Sequence, residues 1–347
     1  MDGLLIIDKP AGPTSHDVVA RMRRVLREKR IGHTGTLDPM ATGVLLLVVG
    51  KATRLAKFLS ASDKSYDAVV RLGFATDTAD AQGRPIGPVS ERPIPSRDAI
   101  DAALNPFRGT FMQQPPAFSA KKIDGQRSHM LARARSRHRH AGDRGRESIA
   151  VLAYSTAVDP VDSASQKMQT TPDPVLPAPV SVTAHAIRVV SVDDDRVTLQ
   201  VHCSAGFYVR SLAHDLGERL GIGAHLAALR RTRTGDFTID QAVDLEAAER
   251  DPQRAAAAVV PLAGMLPSIA SVVLTAEGVD RAIHGRDLGP GDTSSGEPFA
   301  LRTEPFTLSS QPSSGPWVRL IDPRGELVAI ARLTGANGLL HPSVVLV

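Results

Sequence analysis

An unbroken apolar run, "GLLII" at residues 3 to 7, reads as a buried strand. The turn "KPAGPTS" follows, punctuated by Pro10, Gly12 and Pro13. The period then changes: Val18, Val19, Met22, Val25 and Leu26 share one face of a helix, with Ser15 as its expected N-cap. Val44 to Val49 is apolar without interruption, which predicts a strand buried on both faces. Residues 65 to 74 predict another strand, 76 to 97 are turn-rich, and a short helix is expected near 96 to 104. Further on, Val197, Leu199, Val201 and Cys203 alternate with Thr198, Gln200 and His202, so one face of that strand is buried. Leu212, Leu216 and Leu220 form the stripe of a second helix, and an Ala-rich helix is expected over 246 to 260.

Two stretches break the periodicity. Residues 155 to 180 and 285 to 316 are rich in Ser, Thr, Pro, Gly and Asp, and read as excursions between ordered elements. Beyond the second, "WVRLIDPRGELVAIARL" predicts a hairpin around Asp322 to Gly325. The expected organisation is a large domain over 1–250, carrying an insertion at about 120–178, and a small β-rich domain over 268–347.

Composition narrows the class. With 42% hydrophobic residues among 347, the chain can build a core. Its longest aliphatic run is far too short to span a bilayer, and its N-terminus lacks a basic region and cleavage signal, so a cytoplasmic location is expected. The single cysteine, Cys203, excludes an internal disulfide and a cysteine-rich zinc site. Net charge is +4 and pI about 9.4, with arginine clustered. Seven arginines and three histidines fall in residues 127 to 146, and Arg21, Arg23, Arg24 and Arg27 line the first helix. Such clusters suit a polyanionic partner, although a basic helix face can also be merely solvated.

The densest candidate chemistry is "RIGHTGTLDPMATGVLLL", residues 30 to 47. Gly32, Gly35 and Gly43 permit unusual backbone angles, Pro39 biases Asp38 toward extended backbone, and Thr34 and Thr36 can bond locally. This reads either as an ordinary Asp-Pro turn or as a compact loop that fixes a shielded carboxylate. A phosphate-binding loop is excluded, since Gly50-Lys51 is followed by Ala52. His33 and Asp38 lack further ligands at metal-binding spacing. Tyr66, after Lys64 at a strand start, reads as a core or interface aromatic, notable because the chain has only three tyrosines. Tyr208 and Arg210 stand two apart and would share a side of an extended chain; Arg210 is either a surface charge or the partner of the carboxylate.

Six segments occur in a telling order: "GLLIIDKPAGPTSHDVV", "RIGHTGTLDPMATGVLLL", "SDKSYDAVVRLG", "QQPPAFSAKKIDGQR", "CSAGFYVRSLAHDLGERLG" and "AHLAALRRTRTGDF". Together they resemble the TruB family of bacterial tRNA pseudouridine synthases, over about residues 3 to 245. The resemblance implies an α+β pseudouridine synthase fold with a mixed, mostly antiparallel sheet. It implies a C-terminal PUA-like RNA-binding domain, and isomerisation of uridine 55 in the TΨC loop of tRNA to pseudouridine, without metal or organic cofactor. By position, Asp38 matches the essential aspartate, Tyr66 the tyrosine that stacks on the target base, Arg210 the arginine paired with the aspartate, and Tyr208 a second active-site tyrosine. His33 matches the histidine that supports the flipped-out nucleotide, and Leu229 an apolar pocket residue; Lys64 and Arg127 are further substrate-binding candidates. The implied partner is the tRNA stem-loop, gripped by the insertion with Arg127, Arg133, Arg135, Arg137 and Arg139; no protein partner is implied, and a monomer is expected.

Departures from the family pattern are Ser128-His129-Met130, where an aromatic is usual, and the long polar stretch from Ala134 to Val175. Two other classes compete with an enzyme acting on tRNA. A non-catalytic RNA-binding module would use the same basic surface. A carboxylate glycosidase lacks a convincing second carboxylate. Phosphate-led recognition makes RNA binding fall steeply as salt rises. A filter-binding series in increasing KCl reads this, and a flat dependence would count against it.

Overall fold

The computed structural model describes residues 1–116, 177–294, 317–334 and 338–346, and the backbone of two short paired strands, Lys122–Ile123 and Gln126–Arg127. The rest of the 120–178 insertion up to residue 176, with Arg133, Arg135, Arg137 and Arg139, lies outside the described residues, as does the tract over 303–315.

The largest of the sheets is mixed. Its strands are β1 (Gly3–Lys9), β2 (Ile31–His33), β3 (Thr42–Val49), β4 (Lys64–Leu72), β5 (Gly109–Gln113), β6 (Val180–Asp193), β7 (Arg196–Cys203) and β8 (Ala224–Thr234). Across the sheet the order is β1-β3-β8-β4-β7-β6-β5, with β2 paired to β3 and the short strand Val243–Asp244 outside β1. The β3–β8 pair and the β1–Val243 pair are parallel; the other pairs along this path are antiparallel. This is the expected mixed, mostly antiparallel sheet of an α+β domain.

Its layers follow from side-chain alternation. On β4, Tyr66, Ala68, Val70 and Leu72 join Val197, Leu199, Val201 and Cys203 of β7 in one core. Helix α1 (Ser15–Val25) packs elsewhere, while α2 (Arg97–Leu104) and α3 (Val209–Leu220) close this core with Ile100, Leu104, Leu212 and Leu216. β3 is buried on both faces, as its unbroken pattern predicts. Leu45, Leu47 and Val49 meet α1, whereas Val44, Leu46 and Val48 face a different cluster.

That last cluster contains C-terminal residues. β9 (Ser271–Val273), β10 (Trp317–Ile321), β11 (Leu327–Thr334) and β12 (Leu339–Val345) form a four-stranded sheet in that order. Trp317, Leu327, Ile330 and Leu346 share a core with Leu4, Leu46 and Phe58. The Trp317 ring meets Phe58 edge-on at 4.9 Å, and the Arg332 guanidinium lies 4.1 Å over it.

Three local expectations are corrected. Thr14, not Ser15, caps α1: Asp17 N–H donates to Thr14 Oγ1 at 3.1 Å and Thr14 N–H to Asp17 Oδ2 at 2.8 Å, a reciprocal capping box. Ser15 is already helical, and its hydroxyl turns inward. The Ala-rich stretch forms two short helices, Leu245–Arg250 and Pro252–Ala257, because Pro252 cannot continue the first and starts the second under an Asp251 cap. Among Gly32, Gly35 and Gly43, only Gly43 has positive φ, at 99°. There β3 passes so close to β8 that a Cβ would sit 2.1 Å from the Arg231 carbonyl oxygen.

Trp317 is 2% exposed and bridges the two sheets. Trp317→Ala should therefore destabilise the chain by about 3–5 kcal/mol, read as a lower urea midpoint in far-UV circular dichroism. A separate early transition with the main midpoint unmoved would show that the shared core carries little of the stability.

Candidate active site

Asp38 lies in the loop between β2 and β3, and that loop is held from several sides. Ser15 Oγ donates to the Leu37 carbonyl at 3.1 Å and accepts from the Leu37 N–H at 2.9 Å. Lys9, fully buried at the end of β1, donates through Nζ to the carbonyls of Pro10 (2.8 Å), Pro39 (3.2 Å) and Ala41 (2.7 Å). Arg231 on β8 donates to the carbonyls of Gly35 (3.0 Å) and Val44 (2.7 Å). Buried cations thus satisfy carbonyls that the loop cannot pair internally. The expected local bonding by the threonines is not the device used. Thr34 Oγ1 is buried without a hydrogen-bond partner, and Thr36 is exposed.

The carboxylate itself meets Arg210, in the first turn of α3. Nε lies 2.9 Å from Asp38 Oδ2, and Nη2 lies 3.3 Å from Oδ1, a two-point contact. The Arg210 side chain is 6% exposed, whereas that of Asp38 is 34% exposed, so the pair has one buried partner and one open to a ligand. Behind it, Arg210 Nη1 donates to the Thr78 carbonyl at 3.2 Å and stands 3.7 Å from Asp80 Oδ2. Asp80 is held by Thr78 Oγ1 at 2.6 Å and the Gln82 N–H at 3.0 Å. Burial pushes the Asp38 carboxyl above the ordinary range; Arg210 opposes this, Asp80 adds to it, and Lys9 opposes it.

The other sequence candidates fall into distinct places. Tyr66 is 7% exposed in the core face of β4, directly across the ladder from Arg231, which hydrogen-bonds its side chain. Burial raises its pKa, and the Asp38 charge is the last of the further causes, after Arg231 and Cys203. His33 ends β2 with Nδ1 buried and without a hydrogen-bond partner, edge-on to His16 at 5.1 Å. Burial, then His16, then Arg231 lower its pKa to about 4, so it is neutral near pH 7. Leu229 bridges the two cores on either side of β8.

Lys64 is buried, and its Nζ donates to the carbonyls of Ser60 (3.1 Å) and Ser62. Burial, with Arg231 next, lowers its pKa to about 8. Its ammonium is thus engaged in closing the chain entry into β4. Tyr208 does not continue an extended segment toward Arg210. It is the N-cap residue of α3, its N–H donating to Gln113 Oε1 at 2.8 Å and its carbonyl accepting from Gln113 Nε2 at 2.9 Å. On a helical start, residues two apart do not share a face, so the same-side argument fails. Arg127 lies in the short strand Gln126–Arg127, with its side chain outside the described residues.

Lys9, Thr78, Asp80, Gln113 and Arg231 were not singled out by sequence reasoning, and Ser15 was singled out only as a helix cap. Asp80 sits in "TDTADAQG", which carries only a turn signal. Lys9 carries a better one: it closes a strand whose residues 4 to 7 are all apolar and directly precedes the turn from Pro10 to Pro13.

Comparison with known proteins decides the family. The TruB family pseudouridylate synthase (N terminal domain) model matches residues 23–155, and the tRNA pseudouridylate synthase B C-terminal domain matches 210–265. The "tRNA pseudouridine synthase B" of Solibacter usitatus is 38% identical over 348 residues, covering 100% of both chains. That of Thermobifida fusca is 38% identical over 99% of this chain and 98% of its own. The chain belongs to the TruB family. Its fold recurs in a solved "H/ACA RNP bound to a substrate RNA containing 2'-deoxyuridine", with TM-score 0.65 at 22% identity, over 99% of this chain and 85% of that one. A "Cbf5-Nop10-Gar1 Complex" gives TM-score 0.64 at 24% identity, with the same shares. For this TruB-family chain these likenesses establish the pseudouridine synthase fold.

The neutral His33 makes a pH prediction. Its pKa is about 4 folded against 6.5 unfolded, so between those values the unfolded chain binds more protons. The contribution of His33 to stability is thus lost as pH falls from about 6.5 toward 4. In His33→Gln this part of the acid destabilisation should vanish, measured as a flatter urea midpoint against pH. An unchanged slope would mean that His33 is solvated.

Proposed function

We propose that this TruB-family enzyme isomerises uridine 55 in the TΨC loop of tRNA to pseudouridine, with Asp38 as its essential carboxylate and no cofactor. The observation that carries the reading is the two-point pairing of Asp38 with the buried Arg210, on a loop clamped by Lys9, Ser15 and Arg231.

The reaction needs what this arrangement offers. Uracil must leave C1′ by its nitrogen and return by C5. A carboxylate serves this by attacking C1′, by attacking C6, or by removing a ribose proton. Each route needs an ionised oxygen facing the sugar-base junction. Arg210 favours that ionised form and, being rigidly held itself, fixes its direction.

The target uridine is stacked in the tRNA loop, so it must be extruded at a cost of roughly a few kcal/mol. Stacking against Tyr66 recovers part of that cost. Tyr208 would flank the base, and Leu229 would supply an apolar wall that retains the detached uracil while it turns. Neutral His33 would support the everted nucleotide through hydrogen bonding or stacking rather than charge. The insertion with Arg127, and the C-terminal unit over 268–347 as a PUA-like module, would hold the tRNA through phosphate and shape contacts, with Lys64 acting indirectly through the loop before β4.

An unmodified tRNA transcript tests this. Wild type should form pseudouridine in the TΨC loop, mapped by carbodiimide primer extension. Asp38→Asn should lose about 10²–10⁴-fold or more of the rate while still binding the transcript. Equal rates would remove Asp38 from the chemistry, and modification at another position would overturn the assigned substrate.

A further inference from the structure

On the sheet face away from Tyr66 stands a group of side chains that the proposed reaction does not use. Asp63 immediately precedes β4. His202 is on β7, opposite Ser65 and alternating with the buried Cys203. His185 is on β6, where the register with β7 shifts between Ala184 and Ala186. A bulge adds a residue and re-aims its side chain. The buried positions of β6 show the effect, running Val182, Ala184 and then Ile187, Val189.

The three side chains converge. His185 Nε2 lies 3.1 Å from Asp63 Oδ2, and His202 Nε2 lies 3.9 Å from the same oxygen. One ligand atom from each falls within 4.8 Å of the others; among the described residues this is the one such group. His202 Nε2 is shielded from solvent yet makes no hydrogen bond, so a nitrogen aimed at the group's centre is unsatisfied. The two imidazoles are 4.8 Å apart and tilted by 42°.

A tetrahedral ion with bonds of about 2.0–2.2 Å to nitrogen and oxygen sets its ligands about 3.4 Å apart. The observed 3.1 and 3.9 Å fall on either side of that value. Two imidazoles and one carboxylate, with positions left open, are a donor set taken by zinc and also by Fe(II); calcium and magnesium demand oxygen ligands. Arg233 is a nearby positive charge and opposes any cation at this place, so the donor set and its geometry, not the local charge, carry the case. We propose that Asp63, His185 and His202 form a binding site for a divalent transition-metal ion, with zinc the fitting member. Such an ion would tie the entry of β4 to β7 and to the bulge of β6. It lies behind the strand that carries Tyr66, not among the groups around Asp38.

The test uses the full-length protein, stripped with chelator and dialysed. Zn²⁺ is titrated calorimetrically into wild type, His185→Gln, His202→Gln and Asp63→Asn, and Co²⁺ supplies a visible spectrum. Histidines elsewhere, including His129, His138 and His140, contribute equally to all four proteins. Wild type should bind one more zinc than each variant and show the intense bands of tetrahedral Co²⁺. With zinc about a hundredfold above its Kd, its Tm should also rise by several degrees, a gain absent from the variants. Equal zinc stoichiometry and equal Tm response in all four would reduce the cluster to a histidine–aspartate ion pair and overturn the proposal. Pseudouridine formation by the zinc-free variants separates this result from the Asp38 reading.

Discussion

One charge pair organises the molecule: Asp38 against Arg210, joining segments 172 residues apart. Neither group is placed by its own neighbours in sequence. Arg210 is buried, and Asp38, Asp80 and the Thr78 carbonyl are among the groups that surround its guanidinium. Asp38 remains open on one side. A charge network with a closed back and an open front serves recognition or catalysis better than it serves stability, since burying such charges costs as much as their attraction returns.

The loop that carries Asp38 is made rigid by cations rather than by its own side chains. Lys9 donates to three carbonyls and Arg231 to two. Hydrogen bonds from charged groups contribute about 1.5–3 kcal/mol each, offsetting the desolvation that lowers the Lys9 pKa to about 8. Both cations come from strands beside β3. Hence the strand order β1-β3-β8-β4 is itself part of the site. It brings Lys9, Asp38, Arg231 and Tyr66 onto four adjoining pieces of backbone.

The same sheet explains why its two faces differ in use. The face beneath α2 and α3 is apolar and carries Tyr66 at its rim. The opposite face is polar, and the bulge in β6 gathers His185, His202 and Asp63 there. Near β3, by contrast, both faces are covered, by α1 on one side and by the C-terminal sheet on the other. Trp317 thus links the C-terminal unit to the strand that leaves the Asp38 loop.

What the sequence determined was whatever depends on neighbours along the chain. The apolar run of β3, the alternation in β7 and the stripe of α3 were legible because burial imposes a local period. The parity break in β6 was written there too, although it was not read. The ordered motifs, through their family resemblance, pointed to Asp38, Tyr66 and Arg210. The tertiary structure alone decided that Ser15 clasps Leu37 instead of capping α1, that Tyr208 opens a helix, and that Asp80 backs Arg210. A buried charge draws its partners from wherever the strand order delivers them, and no spacing along the chain encodes that order.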